Sequence, residues 1–148
     1  MLEVKRPMLG HTFMEVAQVF SRRATCPRAS VGAVLVLDGV MVSHGWNGAP
    51  RGHKHCLDVG CDMGVVRGRE SCQRAVHAEA NVLLNAARSG VRTLGSVLYV
   101  THSPCMRCAG FIIQAGVGKV VYLEEYADSG VRILMDSGVA CVRQPPMG

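Results

Sequence analysis

Short apolar runs and segments with helical spacing alternate along the chain. Residues 31–37 and 40–44 are apolar-rich, and Asp38-Gly39 lies between them. An Asp-Gly pair between two such runs is a strong signal for a β-hairpin. Further strands are predicted at residues 96–101, 119–123 and 139–143.

Four segments have the apolar periodicity of helices. Residues 12–24 carry apolar side chains at helical spacing, with Thr12 as the predicted N-cap and Pro27 beyond the end. The other helices are predicted at residues 77–88, 105–115 and 131–137, and a glycine lies just past each of them. This order predicts an α/β protein with a central mixed sheet of five strands and helices on both faces. The last three strands are separated by helices and are expected to run parallel.

Length and composition favour one domain that contains an irregular insert. A chain of 148 residues with 49% hydrophobic residues is expected to pack as a single domain over residues 1–148. Residues 45–52 are rich in turn-forming residues and are predicted to be a loop that lines a site. Residues 53–76 form a polar, cysteine-containing insert to which the pattern assigns no elements.

Charge and hydropathy limit the partners of the protein. Sixteen basic and 11 acidic residues give a net charge of +5, which favours anionic partners but equally fits a solvated surface. No apolar run approaches the roughly 20 residues that cross a bilayer, and the N-terminus lacks the apolar core of a signal peptide. Seven cysteines cannot all pair internally, and clustered cysteines in a reducing compartment are typical of metal ligands. A soluble, cytoplasmic protein without a membrane partner is expected.

Two motifs carry the chemistry. His77-Ala-Glu79 and Pro104-Cys105-Met-Arg-Cys108 supply one imidazole, two thiols and one free carboxylate, each motif at a predicted helix start. Three protein ligands and an open fourth position are typical of a catalytic zinc site, and this order of residues is the signature of zinc nucleobase deaminases. His77, Cys105 and Cys108 are therefore the predicted zinc ligands, and Glu79 the predicted proton carrier. A purely structural zinc site is the alternative.

The spacing of His77 and Glu79 conflicts with a shared site in mid-helix. Two residues apart on a helix, their side chains would splay to different faces. At a helix entrance beside a cleft, both can face one site. The thiols Cys105 and Cys108 lie one helical turn apart, and the positive end of the helix dipole favours their thiolate forms.

The sequence resembles the deoxycytidylate deaminases of the cytidine deaminase superfamily over nearly its whole length. The matching segments are Thr25-Cys26, Val31-Gly-Ala-Val34, Gly45-Trp-Asn-Gly48, His55-Cys56, His77-Ala-Glu-Ala-Asn81, Tyr99-Val-Thr101, Ser103-Pro-Cys105 and Cys108. The resemblance implies a three-layer α/β/α cytidine-deaminase-like fold. It also implies hydrolysis of dCMP to dUMP and ammonia, which supplies dUMP for thymidylate synthesis, with zinc at the predicted ligands.

The resemblance further implies binding residues and regulation. Residues at positions near nucleotide in such enzymes are Asn47, Asn81, Ser103 and Tyr126. Many members are hexamers that dCTP activates and dTTP inhibits together with Mg²⁺. The matching effector-site residues are Gly45, Trp46, Gly48 and Arg88. Trp46 stands where such enzymes carry tyrosine; it can still stack on a base but lacks the hydroxyl.

Four remaining cysteines suggest a second metal site. Cys26, Cys56, Cys61 and Cys72 could form a closed structural zinc site that staples the polar insert, and similar enzymes sometimes carry a second zinc there. His53 or His55 could replace one thiol, and free thiols without an ion are the alternative. Cys141 lies in a predicted strand and is expected to be a core residue.

Two other functions remain open at this stage. The first is deamination of tRNA or single-stranded nucleic acid, which the positive charge allows, although no basic run exceeds Arg22-Arg23. The second is a non-catalytic zinc module that binds nucleotides. The candidate phosphate contacts are Arg28, Arg51, Lys54 and Arg74, which spacing alone does not rank.

Overall fold

The computed structural model describes residues 5–145, which form a five-stranded sheet with helices on both faces. The seven strands are β1 (Gly32–Leu37), β2 (Val40–Trp46), β3 (Met63–Val66), β4 (Arg69–Cys72), β5 (Val97–His102), β6 (Lys119–Glu124) and β7 (Ala140–Arg143). The main sheet has the order β2-β1-β5-β6-β7, while β3 and β4 form a separate hairpin. Strand β1 is antiparallel to β2 and β5, and β5, β6 and β7 are parallel. The predicted mixed sheet with three parallel strands is confirmed.

Helices cover the two faces of this sheet in separate layers. The five helices are α1 (Leu9–Ser21), α2 (Cys56–Val59), α3 (Ala78–Ser89), α4 (Met106–Gln114) and α5 (Val131–Asp136). Val34 and Val36 of β1 pack with Met14 of α1 on one face. Ala33 and Leu35 belong to the larger cluster with α3, α4 and α5 on the other face. Alternate residues of one strand thus enter opposite layers, which is why β1 is apolar throughout.

The first helix begins and ends three residues earlier than predicted. It covers Leu9–Ser21 and is preceded by Met8, which offers no side-chain cap. The Thr12 N–H donates to the Met8 carbonyl at 3.2 Å, so the predicted N-cap at Thr12 is wrong. The helix ends before Pro27 because the Thr25 N–H bonds the Asn47 carbonyl at 3.1 Å, which draws the chain towards the sheet.

Strand β2 extends two residues into the predicted loop 45–52. Its last residues, Gly45 and Trp46, pair with Ala33 and Gly32 of β1. A Cβ at Gly45 would lie 2.7 Å from the Val82 nitrogen, so helix α3 packs directly on this glycine. The alternation of apolar and polar residues cannot reveal this continuation, because the buried position is a glycine, which carries no apolar side chain.

Both hairpins turn through paired left-handed residues. Asp38 and Gly39 have φ values of 51° and 77°, which confirms the predicted hairpin and fits a type I′ turn. In the insert, Arg67 and Gly68 have φ values of 51° and 76° and join β3 to β4. The insert 53–76 is thus a short helix and a hairpin. The domain prediction over 1–148 includes residues 1–4 and 146–148, which lie outside the described residues.

Within residues 5–145, no helix is both long and apolar enough to cross a membrane.

Candidate metal and nucleotide site

Two helix starts bring the three predicted metal ligands together. His77 is the N-cap of α3, Cys105 is the N-cap of α4, and Cys108 lies in the first turn of α4. The His77 Nδ1 lies 3.5 Å from the Cys105 Sγ and 3.6 Å from the Cys108 Sγ. Tetrahedral zinc with ordinary Zn–S and Zn–N lengths would separate a sulfur and a nitrogen ligand by about 3.6 Å. The three side chains therefore fit a zinc ion without rearrangement.

The segment before α5 packs against the backbone at Cys105. The Gly130 N–H donates to the Pro104 carbonyl at 2.6 Å, and Ser129 forms an isolated bridge with Cys105. A Cβ at Gly130 would lie 2.8 Å from the Cys105 carbonyl oxygen and 2.6 Å from the Ala109 Cβ. Only a glycine allows this close approach, so the segment before α5 packs directly on the start of α4.

The ionisation of the ligand side chains suits a divalent cation. The pKa of Cys105 is lowered to about 3, because the Cys108 and His77 side chains hydrogen-bond to its thiolate. The pKa of Cys108 is raised, because it shares a proton with Cys105 and is buried. The hydrogen bond to Cys105 raises the pKa of His77. A buried pair of thiols with one preformed negative charge is the environment that a bound cation stabilises.

Glu79 lies beside the ligands with its carboxyl buried. It is the second residue of α3, and only 4% of its surface is exposed. Burial raises the pKa of this carboxyl to about 7. His77 has an extended backbone, with φ −69° and ψ 155°, rather than a helical one. Because His77 lies at the helix entrance, the expected splaying of the two side chains does not apply, and both line one cavity.

The cavity above these residues has a volume of about 160 Å³. Of the predicted nucleotide contacts, Asn47, Ser103 and Tyr126 line it, and so does the candidate phosphate contact Arg28. The Ser103 Oγ accepts the Tyr126 N–H at 2.7 Å. The Asn47 side chain accepts the Val31 N–H and donates to the Ala29 carbonyl, both at 2.8 Å. Asn47 and Ser103 are thus fixed by the backbone of neighbouring loops.

Asn81 has a different position from the other three. Its amide donates to the Trp46 carbonyl at 2.7 Å and to the Val76 carbonyl at 3.3 Å. In the part of the chain that the structure describes, Asn81 is not among the residues that line the main cavity. One turn along α3, Asn85 donates to the His44 carbonyl at 2.8 Å. These two amides tie α3, and with it His77, to the outer edge of β2.

The predicted effector residues are divided between two places. Arg88 lines a second surface cavity of about 370 Å³ with Arg51 and His44. Trp46 stacks on Phe20 with ring centroids 5.9 Å apart, and the Arg23 guanidinium lies over its ring. Gly45 contacts α3, as described above. A Cβ at Gly48 would lie 2.8 Å from the Thr25 hydroxyl, so this glycine serves close packing.

The insert brings three of its thiols together. The ligand atoms of Cys56, Cys61 and Cys72 lie within 4.8 Å of one another, and the Cys56 and Cys72 sulfurs are 3.6 Å apart. Burial opposes ionisation of Cys72, but three backbone N–H groups hydrogen-bond its sulfur and lower its pKa to about 7. Cys26 is outside this group of three, although it lines the main cavity beside Cys72. Cys141 packs against the core, as expected.

The remaining polar candidates do not line the main cavity within the described residues, and Arg74 contacts the thiols Cys56 and Cys72 of the insert. His53, Lys54 and His55 have exposed side chains. Arg74 donates to the Gly60 carbonyl within the insert.

Sequence reasoning missed two parts of the cavity wall. His102, at the end of β5, lines the cavity next to Ser103, and so do Glu70 and Ser71 of the insert hairpin. The position of His102 at the carboxyl end of a predicted strand, just before the zinc motif, is a signal that could have found it. The hairpin gave no such signal, because its turn and pattern are weak.

Comparison with known proteins supports this geometry. Residues 9–124 match the cytidine and deoxycytidylate deaminase zinc-binding region. The chain is 37% identical to the deoxycytidylate deaminase of Mycobacterium phage D29, over 82% of this chain and 99% of that protein. It is 45% identical to ComE operon protein 2 of Bacillus subtilis, over 77% of this chain but only 58% of that protein. A crystal structure of dCMP deaminase from cyanophage S-TIM5 in complex with dCMP and dUMP matches with a TM-score of 0.79 and 36% identity. This match covers 97% of this chain and 100% of the phage chain.

The chain therefore belongs to the cytidine and deoxycytidylate deaminase family, a family of zinc-dependent hydrolytic deaminases. Its cytidine-deaminase-like fold is confirmed by the same structural match.

Proposed function

We propose that this protein hydrolyses dCMP to dUMP and ammonia and so supplies dUMP for thymidylate synthesis. The observation that carries the proposal is the buried Glu79 carboxyl beside a zinc-compatible triangle of His77, Cys105 and Cys108, at the wall of one cavity. The relatives named deoxycytidylate deaminase and the phage structure with dCMP and dUMP support this choice of substrate.

The residues of the chain divide the reaction between them. His77, Cys105 and Cys108 would hold the zinc ion, which supplies Lewis acidity that favours ionisation of a water near neutral pH. Glu79 accepts a proton from the attacking water, whose oxygen bonds to the amine-bearing ring carbon. Glu79 delivers this proton to the ring nitrogen. It then takes the second water proton from the added hydroxyl and delivers it to the leaving amine, so that the carbon–nitrogen bond breaks and a carbonyl remains.

Ammonia release tests the reaction and its substrate together. We expect activity with dCMP above that with CMP, dCTP, deoxycytidine or 5-methyl-dCMP. Glu79→Gln should abolish ammonia release while zinc content and dUMP binding persist. The amide keeps the shape of the side chain but cannot accept a proton from water and pass it to the substrate. Glu15→Gln makes the same change at an exposed position of α1 and should leave activity unchanged. A parent protein that releases no ammonia, with nucleotide binding unchanged in Glu79→Gln, would instead fit the non-catalytic nucleotide-binding module.

Deamination of tRNA is the competing hypothesis for the enzymatic activity. A tRNA:A34 deaminase structure matches the chain with a TM-score of 0.59 and 28% identity, and the net charge is +5. An RNA substrate would require binding that weakens steeply with salt. We expect no retention of RNA at low salt and a KM for dCMP that changes little with ionic strength.

For the cavity contacts, we propose that Arg28 binds the nucleotide phosphate, with Asn47, Ser103 and Tyr126 as further contacts. Arg28 is the candidate arginine that lines the main cavity, whereas Arg51 lines the second one. Arg28→Gln should raise the KM for dCMP, and the matched change Arg51→Gln should leave it unchanged. Asn81, through its bonds to β2, positions the zinc-ligand helix in this proposal.

We also propose a second, structural zinc ion at Cys56, Cys61 and Cys72, with Cys26 as the fourth ligand. The 3.6 Å between the Cys56 and Cys72 sulfurs is close to the roughly 3.8 Å expected between two thiolates on tetrahedral zinc. Elemental analysis should give two zinc ions per chain in the parent and one in either Cys72→Ser or Cys105→Ser. One ion per chain in the parent would remove the second site.

Regulation, assembly and location complete the proposal. The second cavity, with Arg51 and Arg88, has the charge to bind a nucleotide triphosphate with Mg²⁺. Activation by dCTP and inhibition by dTTP should therefore be lost in Arg88→Gln if this cavity is the effector site. A hexamer, measurable by sedimentation, and a cytoplasmic location stay predictions.

A further inference from the structure

His102 is the one imidazole on the wall of the main cavity, among the described residues, that the zinc ligands and the reaction described above do not use. It lies at the end of β5, three residues before Cys105, and is half-buried. It shares the wall of this cavity with His77, Glu79 and Cys105, so it can contact a substrate bound there. The question is which of its two nitrogens faces the substrate and whether that nitrogen carries a hydrogen.

The hydrogen bonds of Thr101 answer this question. The buried Thr101 hydroxyl accepts the Gly32 N–H at 3.2 Å, and it lies 3.2 Å from the His102 Nδ1. Within residues 5–145 these are its two partners, so the hydroxyl hydrogen has one acceptor available, the His102 Nδ1. A buried hydroxyl hydrogen without an acceptor is costly, which favours this direction of the bond. The Nδ1 of His102 is then an acceptor, and its Nε2 carries the hydrogen.

We propose that His102 is a substrate-binding residue whose Nε2–H donates to the ring carbonyl of the pyrimidine, and that Thr101 is the positioning residue that sets this tautomer. The proposal rests on the proposed dCMP substrate. Burial lowers the pKa of His102, which keeps the ring neutral near pH 7. A neutral donor suits a neutral carbonyl oxygen, whereas the exposed Arg28 at the same cavity suits the phosphate.

A pair of substitutions separates the donor from the shape of the ring. In His102→Gln the side-chain amide places an N–H close to the original Nε2, and in His102→Leu the donor is absent. We expect His102→Leu to raise the KM for dCMP about threefold to tenfold, the range expected for one net hydrogen bond. His102→Gln should stay within about twofold of the parent. Equal zinc content in all variants excludes damage to the metal site.

The substrate atom is tested with 2-thio-dCMP, in which sulfur, a poor acceptor, replaces the ring carbonyl oxygen. The parent should bind 2-thio-dCMP more weakly than dCMP. The His102→Leu variant should have the same KM for 2-thio-dCMP as the parent. An equal rise in KM for dCMP and for the analogue would overturn the proposal, as would an unchanged KM for dCMP in His102→Leu. A parent protein that releases no ammonia from dCMP would contradict the proposed function instead.

The role of Thr101 is tested by a double-mutant cycle and by the tautomer itself. Thr101→Val should raise the KM in the presence of His102 but not in the His102→Gln background, since an amide has no tautomer to set. Thr101→Ser keeps the hydroxyl and should resemble the parent. Nitrogen NMR of ¹⁵N-histidine-labelled, zinc-loaded protein should show hydrogen on Nε2 of His102, in a resonance assigned by its loss in His102→Gln. Hydrogen on Nδ1, or an equal effect of Thr101→Val in both backgrounds, would overturn the role of Thr101.

Discussion

Replacing Glu79 by glutamine should stabilise the metal-free protein, and by more at high pH than at low pH. The pKa of Glu79 is raised from its ordinary 4.5 to about 7 because the carboxyl is buried. The folded state therefore holds the proton more tightly than the unfolded state. The carboxyl favours folding below about pH 4.5, and this contribution is lost as the pH rises through about 7. Above that pH, the folded protein carries a buried charge that glutamine would remove.

The size of the effect follows from the two pKa values. The difference between 4.5 and about 7 corresponds to about 3 kcal/mol of unfolding free energy once both states are ionised. We expect Glu79→Gln to be about 3 kcal/mol more stable than the parent at about pH 8, and less than about 1 kcal/mol more stable at about pH 5. Because the glutamine amide has the same packing at both pH values, the difference between them isolates the buried charge.

Urea unfolding with a chelator and a thiol reductant measures this difference. Glu15→Gln, on the exposed face of α1, should match the parent within about 0.5 kcal/mol at both pH values. If the parent and Glu79→Gln change in parallel between about pH 5 and pH 8, the carboxyl does not titrate near neutrality. The inference that burial raises the pKa of Glu79 in the metal-free protein would then be wrong.

Three further predictions concern the scaffold and the ion. Gly45→Ala should destabilise the protein and lower its activity, since the added Cβ would meet the backbone of α3 at 2.7 Å. The control Gly110→Ala, in open space on α4, should stabilise the protein by up to about 1 kcal/mol. Urea unfolding and ammonia release measure both variants. Leu98→Ala, at a fully buried position of β5, should cost about 2–5 kcal/mol in urea unfolding. Removing zinc with a chelator should lower the melting temperature, and adding zinc back should restore it, as expected for a ligand that binds only the folded state.

The sequence was most informative where local chemistry decides the structure. The Asp38-Gly39 turn and the apolar runs of β1 and β6 predicted the hairpin and the sheet, because period and turn residues are local signals. The three predicted zinc ligands could be proposed from the sequence because their spacing and helix starts are local too, and the structure brings their side chains together. The start of α1 was mispredicted because no side chain caps it, so Thr12 offered a false signal.

Contacts between distant segments limited the rest. The end of β2 at Gly45 depends on the approach of α3, and the thiol cluster of the insert depends on the hairpin that brings the Cys72 sulfur to 3.6 Å from that of Cys56. His102 is a cavity residue only because β5 ends where the loops of Asn47 and Tyr126 converge. Such relations arise from tertiary packing, which neither hydrophobic period nor turn composition contains.

The order in which the ligands leave the ribosome has a consequence for biosynthesis. Cys105 lies 28 positions after His77 in the chain, and β5, which lies between them in sequence, inserts next to β1. A nascent chain that ends after α3 carries His77 but neither of the two thiols that complete this site. Metal capture at this site must therefore follow the synthesis of the third main-sheet strand and of Cys105 and Cys108, which makes it a later step than binding at the cysteines of the insert.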